Sequence, residues 1–239
     1  MNEESGTKRF DHVLYFRSMI KLVILDFDDT LCLTEEATFH LENEVALSMG
    51  FKPMSRSTHQ KTWGLPVKKV IAERIPGIDV DEFIRRHEKT VSKYFANGNL
   101  DAICSENLTA LDKLKKAGRR LAILTSRSFS EIRHLLRKSH PLSSRVEKFY
   151  YIDNSEYLKP DPRAFGQILK HFKAKPEESI YVGDAVSDAA AARGAGLSFI
   201  AILESGLRTK KDFNKVKVDL FVKKFKDIVP FILQNHPDF

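Results

Sequence analysis

Two carboxylates two residues apart, Asp26 and Asp28, open the run Asp26-Phe27-Asp28-Asp29-Thr30 directly after the apolar stretch at residues 20–25. A second acidic pair stands in Gly183-Asp184-x-x-x-Asp188, after the apolar stretch at 179–182. Two other apolar stretches lead to polar groups of a different kind. Residues 120–124 run into Thr125-Ser126, and Lys159-Pro160 lies in a loop after 149–152. Together these residue types suit phosphoryl chemistry. A carboxylate at a strand end can attack phosphorus and form an aspartyl-phosphate. A second carboxylate on the same side of an extended turn can protonate the leaving oxygen and then deprotonate water. Carboxylates crowded ~4 Å apart repel by roughly 4 kcal/mol per pair at an effective dielectric of ~20, so a cation must join them. An incomplete shell of oxygen donors suits magnesium. A lysine adds fixed positive charge, and a hydroxyl with a backbone N–H can bind phosphoryl oxygens. Each group alone could be no more than a turn or a helix cap. Four of them, in this order at four strand ends, are more than that.

The elements that must position these groups are legible as periodicity. Short runs rich in β-branched and aliphatic residues at 20–25, 120–124, 149–152, 179–182, 197–203 and 219–222 have the pattern of strands buried on both faces. Helical patterns separate most of them: 108–117 closed by Gly118, 129–138 stopped by Pro141, 162–172, and 188–193. The alternation predicts an α/β fold, a Rossmann-like parallel sheet core with helices on both faces. One segment breaks the rhythm. Residues 35–49, 67–75 and 80–96 are all helical, the last with Asp79 as N-cap, Glu82 three residues on and Gly98 past its end. An inserted all-helical cap is therefore expected over residues 32–100, with the α/β core at 19–31 and 101–239 and an N-terminal extension at 1–18. Both cap connections lie near the carboxyl end of the first strand, where open α/β sheets bind ligands, so the cap closes over the site.

The four motifs in this order resemble the haloacid dehalogenase-like hydrolase superfamily, in particular helical-cap members similar to phosphoglycolate phosphatase and beta-phosphoglucomutase. The resemblance spans about residues 20–230. Asp26–Leu31 is similar to the family's first motif, Leu124-Thr125-Ser126 to the second, Lys159-Pro160 to the third, and Gly183 to Asp188 to the fourth. The resemblance implies Asp26 as nucleophile and Asp28 as acid and base. It implies Lys159 as their cationic partner, with Thr125 and Ser126 on the phosphate. It places Mg2+ on Asp26, Asp184 and the Asp28 backbone carbonyl, with Asp188 orienting that shell. Trp63-Gly64-Leu65-Pro66 is similar to the family's cap specificity loop. This makes Trp63, Gly64 and Lys68 the candidate specificity residues, with His59, Lys61 and Lys69 beside them. Asp28 argues against dehalogenase and phosphonate chemistry, and Thr30 tilts the remaining choice to phosphate-ester hydrolysis. A hexose-phosphate mutase of the same family is the alternative. Asp29 stands where the family more often has glycine.

Composition is ordinary for a soluble globular protein: 239 residues, 42% hydrophobic and 30% charged, without an apolar run of membrane length. Two cysteines, Cys32 and Cys104, form neither a metal knuckle nor a redox pair. No export signal is apparent, which predicts a cytoplasmic protein. The net charge of +7 concentrates near residues 208–226. Without interleaved stacking aromatics or a nucleic-acid module, this region is expected to be a solvated basic face rather than a nucleic-acid site. A non-catalytic binding protein is the rival of another class. The expected partner is a small phosphorylated metabolite, with no nucleic acid and no membrane.

Overall fold

A computed structural model describes residues 19–96 and 100–234 of the chain. The N-terminal extension at 1–18 and the stop at Gly98 lie outside the described residues. Six strands form one fully parallel sheet: β1 (Leu22–Leu25), β2 (Arg120–Leu124), β3 (Lys148–Tyr150), β4 (Ser179–Gly183), β5 (Ser198–Ile202) and β6 (Leu220–Val222), in the order β3-β2-β1-β4-β5-β6. All four residues of β1 are buried. Val23 and Leu25 pack with Ala110, Leu111 and Leu114 of α5 (Ser105–Lys116) and Ile228 and Ile232 of α9 (Ile228–Gln234). Leu22 and Ile24 face Ile168 and Phe172 of α7 (Gly166–Phe172) and Ala189 and Ala192 of α8 (Val186–Gly194). The period-2 alternation of a strand thus supplies two separate cores, one per face, and leaves no polar face on β1. Strand order reverses between β1 and β4, and the crevice outside their carboxyl ends is where open α/β sheets take ligands.

Four helices lie between β1 and α5: α1 (Glu35–Ser48), α2 (Arg56–Lys61), α3 (Val67–Arg74) and α4 (Val80–Ala96). They enclose their own apolar cluster of Leu41, Val45, Ile71, Ile75, Phe83 and Val91. The spacing of Val80, Phe83, Ile84, His87 and Val91 puts one face of α4 against α1. Asp79 caps α4 through the Glu82 N–H at 3.0 Å.

Several expected boundaries differ. The helix expected at 129–138 is only α6 (Phe129–Ile132). Beyond it the chain continues as turns with three-residue bonds, Leu135 to Ile132, Arg137 to His134 and His140 to Arg137. The turn bonds replace the four-residue ladder, and His134 is held sideways by Asp101. Residues 162–172 start as a 3-10 turn (Pro162–Phe165) before α7, and Ile152 leaves the third strand for a 3-10 turn of its own. Helices α2 and α9 carry no strong apolar period and have no counterpart among the helices expected from the sequence. No helix among the described residues is long and apolar enough to cross a membrane. Both cysteines are free. In the basic region Lys224 pairs with Glu204 at 2.9 Å and Lys226 with Glu106 at 2.8 Å, so part of its charge is balanced locally.

Candidate active site

Strand β1 delivers Asp26. Its N–H still donates to Val182 of β4 at 2.8 Å, which fixes the residue at the crevice floor, and the side chain is nearly buried. Strand β4 delivers Asp184, and the first turn of α8 delivers Asp188. The carboxylate oxygens of Asp26, Asp184 and Asp188 lie within 4.8 Å of one another. A Cβ on Gly183 would stand 2.5 Å from the Asp188 carboxylate, so glycine is needed there for the two to pack. Lys159 reaches in from the loop after β3, with Nζ 3.0 Å from Asp26 and 2.9 Å from Asp188. It also donates to the Tyr181 hydroxyl at 2.8 Å. Tyr181, in the middle of β4, is a site residue that the strand pattern did not reveal.

Three buried carboxylates beside one ammonium leave a surplus of two negative charges, and the electrostatics register it. Burial pushes Asp26 up to about 8; Lys159 opposes this, and Asp188 and Asp28 add to it. Asp184 is raised well above the ordinary carboxylate range by burial, then by Asp188 and Asp26. Burial works against the charge on Lys159, but Asp188 and Asp26 outweigh it and hold its pKa above the usual value. An all-oxygen donor set with a charge deficit of two fits a divalent cation such as Mg2+.

Asp28 lies outside that cluster. Its carboxylate accepts from Thr34 Oγ1 at 2.6 Å and from Arg127 Nη2 at 2.7 Å and Nε at 3.0 Å. The other edge of the same guanidinium holds both oxygens of Asp101 at 2.9 Å. His134 Nε2 sits 2.5 Å from Asp101, and the guanidinium lies over the Phe27 ring, 4.7 Å from its centroid. Burial alone would raise Asp101, but Arg127 and His134 hold its carboxyl below the ordinary range. Arg127 is thus a bridge between the first motif and Asp101, where the chain returns from the helical segment to the sheet. It was not among the residues expected from the sequence. Its only signal was its place immediately after Thr125-Ser126.

Thr125 is buried beneath the crevice; its N–H donates to Tyr150 and its hydroxyl accepts from the Arg127 N–H at 3.2 Å. Asp29 adopts φ +51°, the left-handed conformation that glycine takes most easily and Asp accepts at a cost. Its side chain is put to use. One oxygen accepts from the N–H groups of Thr34 and Glu35 at 2.9 and 3.4 Å, and the other from the Trp63 indole N–H at 2.5 Å. Burial raises Asp29 to about 6, against the pull of the Thr34 N–H.

A cavity of about 310 Å3 lies between sheet and helical segment. Asp26, Asp28, Ser126, Lys159, Asp184 and Asp188 line it from one side and Trp63, Gly64 and Lys68 from the other. Lys68 itself is mostly in solvent and faces Asp81 at 3.2 Å. His59, Lys61 and Lys69 do not line it. His59 is fully buried with Nδ1 2.9 Å from Glu35, and Lys61 is in solvent near Glu73.

The family model for haloacid dehalogenase-like hydrolases matches residues 23–202. The chain belongs to that family. Members similar to this hydrolase include a phosphoglycolate phosphatase of Nitrosospira multiformis, 25% identical over 93% of this chain and 100% of the relative. A pyrophosphatase, PpaX, of Bacillus mycoides is 26% identical over 66% of this chain and 72% of its own. Among solved structures, CbbY from Rhodobacter sphaeroides in complex with phosphate superimposes with a TM-score of 0.72 at 23% identity, over 88% of this chain and 96% of that one. At that identity the likeness concerns the fold.

Proposed function

We propose that this hydrolase is a magnesium-dependent phosphatase that cleaves a small phosphate monoester through an aspartyl-phosphate on Asp26. The observation that carries it is the ion-paired Asp26, 3.0 Å from Lys159 and within one three-carboxylate cluster at the crevice floor. In the first step a carboxylate oxygen of Asp26 attacks phosphorus and the ester P–O bond breaks. Asp28 gives its proton to the departing alkoxide oxygen. In the second, Asp28 takes a proton from water as its oxygen attacks the phosphoryl group, releasing inorganic phosphate and freeing Asp26. Lys159 balances charge on Asp26 and on the phosphoryl oxygens, which the Ser126 N–H and the Thr125 hydroxyl also bind. Asp26, Asp184 and the Asp28 carbonyl would hold Mg2+, oriented by Asp188; when bound it neutralises the carboxylates and the phosphoryl charge. The raised pKa of Asp26 supports that requirement, because a nucleophilic carboxylate must be ionised and a cation favours that form.

The helical segment, Trp63, Gly64 and Lys68 included, selects the leaving alcohol, and Asp29 ties it to the first motif through Trp63. We place the enzyme in the cytoplasm, with a small metabolite as its partner and neither nucleic acid nor membrane. Steady-state phosphate release from a panel of phosphorylated metabolites, with and without Mg2+, tests this. Metal-dependent phosphate release that Asp26→Asn abolishes is expected. Phosphoryl migration within a sugar without free phosphate would indicate a mutase instead, and Asp26→Asn turning over like wild type would refute the role of Asp26.

A further inference from the structure

The helical half of the cavity says what kind of alcohol leaves, given the phosphatase activity proposed above. Its wall is built from Leu41, Ile84, Val91, Phe95 and Leu100, with His87 among them. Four of the five cations that border it are held in ion pairs; the fifth, Arg208, carries none among the described residues and lies on the sheet side. Arg74 is buried, bound to both oxygens of Glu42 at 2.7 and 2.6 Å and to Thr62. Arg127 is shared by Asp28 and Asp101, and Lys159 by Asp26 and Asp188. Lys68 faces Asp81 at the mouth. Arg208 enters from the sheet side, after β5, bonded to the Leu207 carbonyl, with Asp212 in its field. Among the described residues the whole wall carries seven carboxylates against five cationic side chains. A divalent cation cancels that surplus, and the two charges of the scissile phosphate already exceed it. A second anionic group on the leaving side would meet aliphatic carbon and the carboxylates of Glu42 and Glu88, with no uncommitted cation facing it from α1, α3 or α4. Burying a charge in that setting is unfavourable.

His87 is the polar exception. It is 4% exposed, lies on the cavity wall, stacks on Phe83 at 5.8 Å, and has no hydrogen-bond partner among the described residues. A buried imidazole facing a cavity without a partner is poised for a ligand's hydrogen-bonding group.

We propose that the substrate is the monophosphate of an uncharged alcohol with an apolar face and at least one hydroxyl or ring heteroatom, and that His87 binds that group. The substrate class thus differs from phosphoglycolate and pyrophosphate, the molecules that name the relatives above, whose leaving groups are charged.

The test measures kcat/KM of the Mg2+-loaded enzyme on two sets. One holds a hexose 6-phosphate and a nucleoside 5′-monophosphate, the other 2-phosphoglycolate, pyrophosphate and a pentose 1,5-bisphosphate. The best of the first set is expected to exceed the best of the second by at least about tenfold, the factor of one unmatched ionic contact. His87→Leu should raise KM on the preferred substrate about tenfold, and His87→Gln, which keeps a hydrogen-bonding group, should restore most of it. Val67→Arg, at a half-buried wall position, should shift the preference toward 2-phosphoglycolate. Hydrolysis of both sets with the anionic one preferred, or equal losses on both sets in His87→Leu, would overturn the inference and leave the phosphatase activity standing. Release of phosphate from neither set would remove both.

Discussion

Arg127 stands between two carboxylates that would otherwise face each other in a nearly dry site. Asp28 takes three contacts from it and Asp101 two, at 2.7 to 3.2 Å. Removing one partner of such a buried group costs about 3–5 kcal/mol, and Arg127→Met should lower stability by that order in urea titrations. The catalytic effect should depend on the leaving group. A p-nitrophenolate leaves without protonation, whereas an alkoxide needs the proton that Asp28 carries. Loss of Arg127 should therefore slow an alkyl phosphate at least about tenfold more than p-nitrophenyl phosphate. Equal losses on both would mean that Arg127 does no more than hold the fold. At this same scale lies the limit of what the sequence shows. Asp26, Asp28, Asp184 and Asp188 are visible because each ends a strand or stands a fixed step from one that does, and Lys159 because its loop resembles the family's third motif. Arg127, Tyr181 and His87 owe their importance to partners or a cavity brought in from up to 99 positions away in the chain, and no local pattern marks them.

At the scale of elements, the strand-to-helix turn from β4 into α8 places Asp184 and Asp188 together, and it closes only because Gly183 has no side chain. The added methyl of Gly183→Ala would stand 2.5 Å from a carboxylate held by Lys159 at 2.9 Å and by the Ala185 N–H at 3.3 Å. That carboxylate must rotate, and Mg2+ affinity should fall about 10-fold or more, measured by calorimetric titration of the variant. An unchanged affinity would show that Asp188 does not orient the metal shell. The loop to α3 is tied differently, through the Trp63 indole on Asp29. Trp63→Phe leaves one buried carboxylate oxygen without its donor, at a cost of about 1–3 kcal/mol, and should raise KM more than it lowers kcat. Strands were legible here because a short, unbroken apolar run that ends at a polar residue fits a buried parallel strand and little else. The boundaries that moved are those of short elements: the edge strands β3 and β6 with three residues each, and α6, where three-residue turns replace the helical ladder.

For the whole molecule, charge couples folding, metal and pH. In the metal-free protein Asp26 is raised to about 8 and Asp29 to about 6, both mainly by burial. A carboxyl with a folded pKa above its unfolded value binds its proton more tightly when folded. Its contribution is full below about pH 4 and is lost as pH rises through the folded pKa. With a chelator present, the midpoint of thermal unfolding should therefore fall between about pH 4 and 8, most steeply below about pH 6, where both groups lose their contribution. Mg2+ competes with the protons on Asp26 and Asp184, so its affinity should rise with pH over this window, up to about tenfold per unit for each proton displaced. The Mg2+-induced rise in Tm should grow accordingly. A rise that shrinks with pH would place the metal elsewhere.

The central claim is the covalent bond to Asp26, and acid quench of the Mg2+-loaded enzyme during turnover, followed by peptide mass spectrometry, tests it most directly. The peptide holding Asp26 should carry a phosphoryl group on that residue at a level that rises and then decays as substrate is consumed. Phosphate release at the full rate with this peptide unmodified at every time point would contradict the account.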